Sequence, residues 1–153
     1  PVYNEASGTA ANTDLLINRT ETAVGSGTQL LLDAQVGSSS KFSVSNAGVV
    51  TFTGYIAGGV QSLSGAGAVN VTTGITEVTT TGVADALTLA NGVAGQEKTI
   101  IHGVDGGSFV LTPTTKTGWS TFTSTVAGES ITLVYLTTRG WVVKGSYLGV
   151  IAP

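Results

Sequence analysis

From Val69 to Gly145 the sequence breaks into short runs rich in Val, Ile, Thr and aromatic residues, divided by Gly, Asn and Asp, and this rhythm admits few folds. The expected strands are Val69–Thr72, Ile75–Thr81, Ala86–Leu89, Lys98–Gly103, Ser108–Thr112, Ser120–Thr123, Ser130–Leu136 and Trp141–Gly145. β-Branched and aromatic side chains suit a pleated surface, while Gly and Asn close the turns between strands. Regular short strands of this kind predict an all-β chain, with residues 68–153 forming a C-terminal antiparallel β-sandwich or jelly-roll-like domain. The one weak helical candidate, Val83–Leu87, is too short to stand alone.

The first third of the chain reads differently. Residues Pro1 to Asp14 are small and polar, an extended arm with Tyr3 as its one sizeable anchor. Short apolar pieces follow at Leu15-Leu16-Ile17 and Leu30-Leu31-Leu32. Then comes the clearest local signal, Lys41-Phe42-Ser43-Val44, Ser45-Asn46-Ala47-Gly48 and Val49-Val50-Thr51-Phe52-Thr53-Gly54. Side chains alternate along a strand, so Phe42 and Val44 share a face, as do Val50 and Phe52, and the intervening Asn and Gly predict a β-hairpin. Residues 1–57 are therefore expected to form an arm and hairpin for attachment and trimerisation, joined by a Gly-rich linker over 58–67 to the C-terminal domain.

An isolated hairpin is marginal in water, and residues before Ala57 offer few large apolar side chains per strand. Three copies about an axis would pool Phe42, Val44, Val50 and Phe52 into one core, which predicts a homotrimer. Packing of the hairpin on the C-terminal domain of its own chain is the competing arrangement.

Composition excludes several functions. With a net charge of −3 and six scattered Lys and Arg residues, the chain lacks the basic stripe that a nucleic-acid binder needs to displace counterions. No apolar run approaches the roughly 20 residues that span a bilayer, and the opening Pro-Val-Tyr-Asn-Glu has no signal-peptide pattern. Cysteine is absent, which removes disulfides and thiolate metal sites.

Candidate chemistry is thin. His102, the single histidine, precedes Asp105, but the Gly-x-Ser-x-Gly elbow of a serine hydrolase is missing and His102 falls on an expected strand. A structural histidine is expected, with no catalytic residue, no metal and no cofactor, and His102→Ala should leave the fold nearly unchanged. Asp105-Gly106-Gly107 lacks the further carboxylates of a calcium loop and reads as a tight hairpin turn. Trp119, Trp141 and Tyr147 could stack a sugar. Trp141 fits a core strand better, whereas Trp119, after Thr117-Gly118, stays open as a glycan contact. Asn18-Arg19-Thr20 and Asn70-Val71-Thr72 match the glycosylation pattern, as chance allows in a Thr-rich chain.

The stretch KFSVSNAGVVTFTG resembles the hairpin of bacteriophage fibre and virion proteins, with an F-x-V-x-N/D-x-G-x-V pattern. The C-terminal part resembles a β-rich module of phage and large-virus structural proteins, marked by Leu-Ala-Asn-Gly, Gly-Gln-Glu-Lys-Thr-Ile, Leu-Thr-Pro and a closing Gly-Trp-Val-Val-x-Gly-Ser. The resemblance runs from about Lys41 to Gly149. It implies a trimeric head fibre, a capsid decoration (cement) protein or a tail-fibre tip on the virion exterior, partnered by the major capsid protein or another virion protein. On that reading Val2, Tyr3 and Asn4 in the arm are the capsid-attachment residues. Shortness and the lack of a shaft favour the decoration or head-fibre role. The alternatives are a receptor-binding tip for host-surface glycans and a bacterial surface carbohydrate-binding module.

Overall fold

The computed structural model describes residues 17–22, 25–54 and 57–153, and the chain divides into two compact units, Pro1–Ile56 and Ala57–Pro153. The proposed arm, with Val2, Tyr3 and Asn4, lies outside the described residues. Among the described residues every regular element is a strand, so the all-β sandwich expected from the sequence is what the structure shows.

The first unit is a three-stranded antiparallel sheet of β1 (Leu30–Val36), β2 (Ser39–Ser45) and β3 (Val50–Phe52), in that order. Gly37 and Ser38 link β1 to β2 with positive φ at both residues, the two-residue turn whose twist matches paired strands. The expected hairpin is present, and its register sets Phe42 opposite Phe52 and Val44 opposite Val50. On the other side of β2, Leu32 pairs with Val44 and Ala34 with Phe42.

The second unit packs two five-stranded sheets. One has the order β12 (Gly140–Tyr147), β11 (Ser130–Leu136), β8 (Glu97–Val104), β6 (Ile75–Thr79) and β4 (Val60–Ser64). The other has β13 (Val150–Ala152), β10 (Thr121–Ser124), β9 (Phe109–Pro113), β7 (Asp85–Leu89) and β5 (Gly67–Val69). Side chains alternate, so every second residue faces the opposing sheet. Val78, Ile100, Ile131, Leu133 and Trp141 from the first meet Leu87, Leu89, Phe109, Leu111 and Phe122 from the second, all essentially excluded from solvent. Each such side chain contributes about 1.5–3 kcal/mol by burial, which is where the cohesion of a cysteine-free domain comes from.

Strand pairing is mixed. From β4 to β9 the chain alternates between sheets, each strand returning parallel to its predecessor in the same sheet: β4 with β6, β6 with β8, β5 with β7, β7 with β9. Parallel neighbours need a crossover, and here the crossover is itself a strand of the other sheet. The remaining strands add on antiparallel.

Two expectations are corrected. Residues 58–67 are no linker: they contain β4 and the start of β5. Leu63 and Gln61 alternate with outward Val60, Ser62 and Ser64, and a small-residue composition hid that period of two. The break falls before Ala57 instead. Asp105-Gly106-Gly107 forms no hairpin either, because β8 and β9 lie in different sheets and the turn carries the chain across. A Cβ on Gly107, at φ +149, would sit 2.1 Å from the Gly82 carbonyl oxygen, so the crossing loops require glycine there.

Strand directions sort the loops into two groups. Loops 65–66, 80–84, 105–108, 125–129 and 148–149 gather at one end of the sandwich. Loops 70–74, 90–96, 114–120 and 137–139 gather at the other, where the chain also enters at Ala57. We call these the distal end and the entry end.

Candidate functional site

The sheet of the first unit has two unlike faces. Register places Leu32, Ala34, Phe42, Val44, Val50 and Phe52 on one, and Asp33, Ser43 and Thr51 on the other. The four residues predicted to pool in a shared core thus come together. The Phe42 and Phe52 rings pack with centroids 5.1 Å apart and planes tilted by 51°. Phe42 is half-buried, whereas Val50 is 52% and Phe52 44% exposed. Leu32, 39% exposed, extends the patch, and its signal was the apolar piece Leu30–Leu32. In the same unit Ile17, Asn18, Arg19, Glu21, Leu31 and Asn46 line an open cleft of about 310 Å³, with the Glu21 carboxylate taking hydrogen bonds from Arg19 and Asn46.

In the sandwich His102 is wholly buried. Its Nε2 lies 3.0 Å from Thr80 Oγ1 and its Nδ1 2.8 Å from Ser124 Oγ. Ser124 is also a hydrogen-bond partner of the Glu129 carboxylate. A carboxylate only accepts, so Ser124 donates to Glu129 and accepts from His102 Nδ1–H, while Nε2 faces Thr80 Oγ1, which also reaches the Val104 carbonyl at 3.3 Å. Thr80 Oγ1 in turn accepts the Gly106 N–H at 2.8 Å. Glu129 completes the line by accepting N–H groups of Thr125 (2.6 Å) and Gly149 (3.1 Å). Burial works to raise the Glu129 pKa, but the hydrogen bonds from Thr125, Ser124, Gly149 and Val126 outweigh it and hold it below the ordinary value of 4.5.

This line differs from a hydrolytic triad, in which histidine stands between the carboxylate and the nucleophile. Here serine stands between histidine and carboxylate, and Asp105 instead accepts the Gly107 N–H. The expectation that His102 could be removed at little cost runs against its surroundings: its loss would open a core void and take one hydrogen bond from each of two hydroxyls. Sequence reasoning missed the partners because Thr80, Ser124 and Glu129 are each about 20 residues or more away and join only through strand pairing.

Trp119, left open as a glycan contact, is only 6% exposed, and its indole N–H donates to the Trp141 carbonyl at 3.0 Å. Its face is therefore used by the core and offers no platform for a sugar. Trp141 is buried as expected, with its own N–H on the Ala90 carbonyl, and of the three aromatics Tyr147 alone is exposed, at 63%. Lys98 is the other buried ionisable group sequence reasoning missed. Fully covered, its Nζ donates to the Thr73 carbonyl (2.9 Å) and Thr73 Oγ1 (3.0 Å), and burial pushes its pKa down to about 8. Among the described residues no group of three or more His, Asp or Glu side chains is placed to hold a metal ion. No protein-family model matches the chain, and no curated protein matches it.

Proposed function

We propose that the chain is a virion structural protein, a homotrimeric capsid decoration or head-fibre protein whose first unit is the assembly element. The observation that carries this reading is the apolar face of the three-stranded sheet. Phe42, Val44, Val50, Phe52 and Leu32 form one side of a sheet, yet Leu32, Val50 and Phe52 keep two-fifths to one-half of their surface in water. A sheet of three short strands needs a covered apolar face for independent stability, and further copies of the same face would cover it. The resemblance of KFSVSNAGVVTFTG to virion hairpins supports the same role. On this reading the arm, with Val2, Tyr3 and Asn4, makes the contact with the capsid, and the sandwich carries structure in place of chemistry.

Sedimentation equilibrium tests the assembly step. At micromolar concentration and high salt the wild type is expected as a trimer and Phe52→Asp as a monomer, because burying an unpaired carboxylate in an apolar contact costs several kcal/mol. A folded wild-type monomer would sink the proposal. Immunodetection on purified heads and tails then separates the capsid role from a tail-fibre tip.

A further inference from the structure

The distal end of the sandwich is unusually apolar for a free surface. Val83 is 91% exposed, Val104 53%, Val126 46%, Tyr147 63%, Leu148 61% and Val150 65%. All six sit on or beside the loops of that one end. Together they present roughly 500 Å² of apolar side chain, at the upper part of the range of about 300–600 Å² that the largest patch on a monomer reaches, a size that is often functional.

The loops carrying them are fixed to one another. Gly149 N–H bonds Glu129, Gly128 N–H bonds the His102 carbonyl, Thr80 N–H bonds the Val104 carbonyl, and Ser108 N–H bonds the Gly82 carbonyl. The buried Thr80–His102–Ser124–Glu129 line runs directly beneath. A patch on loops so braced is shaped before it binds, which lowers the ordering cost of association.

Charge divides along the same axis. Glu77, Asp85 and Asp105 lie toward the distal end, with no Lys or Arg among them, and Glu129 there is buried. Toward the entry end Lys98 is wholly buried and Lys144 pairs with Glu97, which leaves Lys116 and Arg139 as the cations of that surface. The loops carrying Lys116 and Arg139 are joined there, since the Lys116 backbone bridges to Trp141 and the Thr117 hydroxyl donates to the Arg139 carbonyl. Two apolar side chains stand exposed at the same end, Val93 at 75% and Leu136 at 38%. An acidic apolar end and a basic apolar end on one unit are complementary to each other.

We propose that the distal end of one sandwich docks on the entry end of a second copy, with Leu148, Tyr147 and Val83 against Val93 and Leu136 and with Asp105 facing Arg139. The contact is heterologous: it joins unlike surfaces and does not close on itself, so it builds an open end-to-end series. It is independent of the first unit's apolar face and can be tested without it.

The experiment is sedimentation velocity on the full chain carrying Phe52→Asp, which removes the first contact, over a range of concentrations at low and high salt. Species that grow with concentration and shrink with salt are expected, because exposed charges beyond about 10 Å are screened at 0.1 M. Leu148→Asp should lower the association constant by at least about tenfold, since it places an unpaired carboxylate in the contact. Asp105→Lys and Arg139→Glu should each abolish association alone. An equimolar mixture of those two should restore it, because the reversed tip of one then matches the reversed entry end of the other. Tryptophan fluorescence of the buried Trp119 and Trp141 verifies that each variant is folded. Absence of growth in the parent, growth that persists in Leu148→Asp, or a mixture that stays unassociated overturns the proposal. Glycan binding by a tip that does not self-associate overturns it in favour of a sugar site.

Discussion

Replacing Lys98 by Met should make the protein more stable at neutral pH, and the size of the gain should depend on pH in a defined window. Lys98 is wholly buried on the core face of β8, and among the described residues its ammonium has Thr73 as its one hydrogen-bond partner and no carboxylate bonded to it. Burial moves its pKa from 10.5 to about 8. Each factor of ten in proton affinity corresponds to about 1.4 kcal/mol, so holding the charge costs up to about 3 kcal/mol, which screening near the end of the sandwich reduces to roughly 1.5. The methionine removes that cost and fills a similar volume, but it deprives the Thr73 carbonyl of a donor, a loss of about 1 kcal/mol. The expected net gain at pH 7 is small, from about zero to 1 kcal/mol, in line with the outcome of replacing buried charges by apolar side chains.

The pH dependence is the sharper test. The unfolded state keeps its proton up to about 10.4, while the folded state releases it near 8. The unfolded state therefore binds more protons between these values, so wild-type stability rises with pH across that window. The penalty is fully present below 8 and gone above 10.4. Urea unfolding of both proteins, at one protein concentration and at intervals from pH 7 to 10.5, should show the variant's advantage shrink and then reverse by about 1 kcal/mol, because the charge penalty on wild type disappears while the variant's lost hydrogen bond remains. Parallel curves would refute the claim that a buried, depressed lysine opposes folding.

Glu129→Gln should flatten the acid response. The depressed carboxyl contributes stability that is present above the ordinary value of 4.5 and lost as pH falls through its lower folded value, so wild-type Tm should drop below 4.5 more steeply than that of the variant. His102→Ala should cost about 2–4 kcal/mol in urea unfolding, from the core void and the two lost hydrogen bonds, whereas a loss under 0.5 kcal/mol would mean the polar line is not holding the loops.

Much of the architecture was legible from side-chain alternation. The strand Ser130–Leu136 is legible to the residue, and alternation about a turn marks the hairpin of Lys41–Gly54. What stayed hidden has physical causes. Val60–Ser64 carries one Leu and one Val among small polar residues, so its composition imitates a linker although its pairing with β6 is regular. Parallel winding leaves no local trace, because the residues that pair, such as Val78 and His102, are separated by a strand of the other sheet. The faces of Trp119 and the partners of His102 depend on that winding, which is why the one was open to a glycan and the other seemed dispensable.

The two polar groups buried on β8 gain a common explanation from their positions. Lys98, Ile100 and His102 alternate along one face, so the strand buries a polar side chain near each end and an apolar one between. Lys98 grips Thr73, whose hydroxyl also meets Asn70, and so ties the 70–74 loop at the entry end. His102 ties the 80–84 and 125–129 loops at the distal end through Thr80 and Ser124. An apolar side chain could fill either place but could not hold a loop, so specificity at the ends is retained at some expense in stability. If the two act as separate braces they should be energetically independent. Four residues of strand separate them by roughly 13 Å, beyond the range of about 7–10 Å within which substitutions couple. The stability change of Lys98→Met combined with His102→Ala should therefore equal the sum of the single changes to within about 0.5 kcal/mol in urea unfolding. A coupling of more than 1 kcal/mol would show that β8 carries one cooperative polar network along its length, and the two-brace reading would fail.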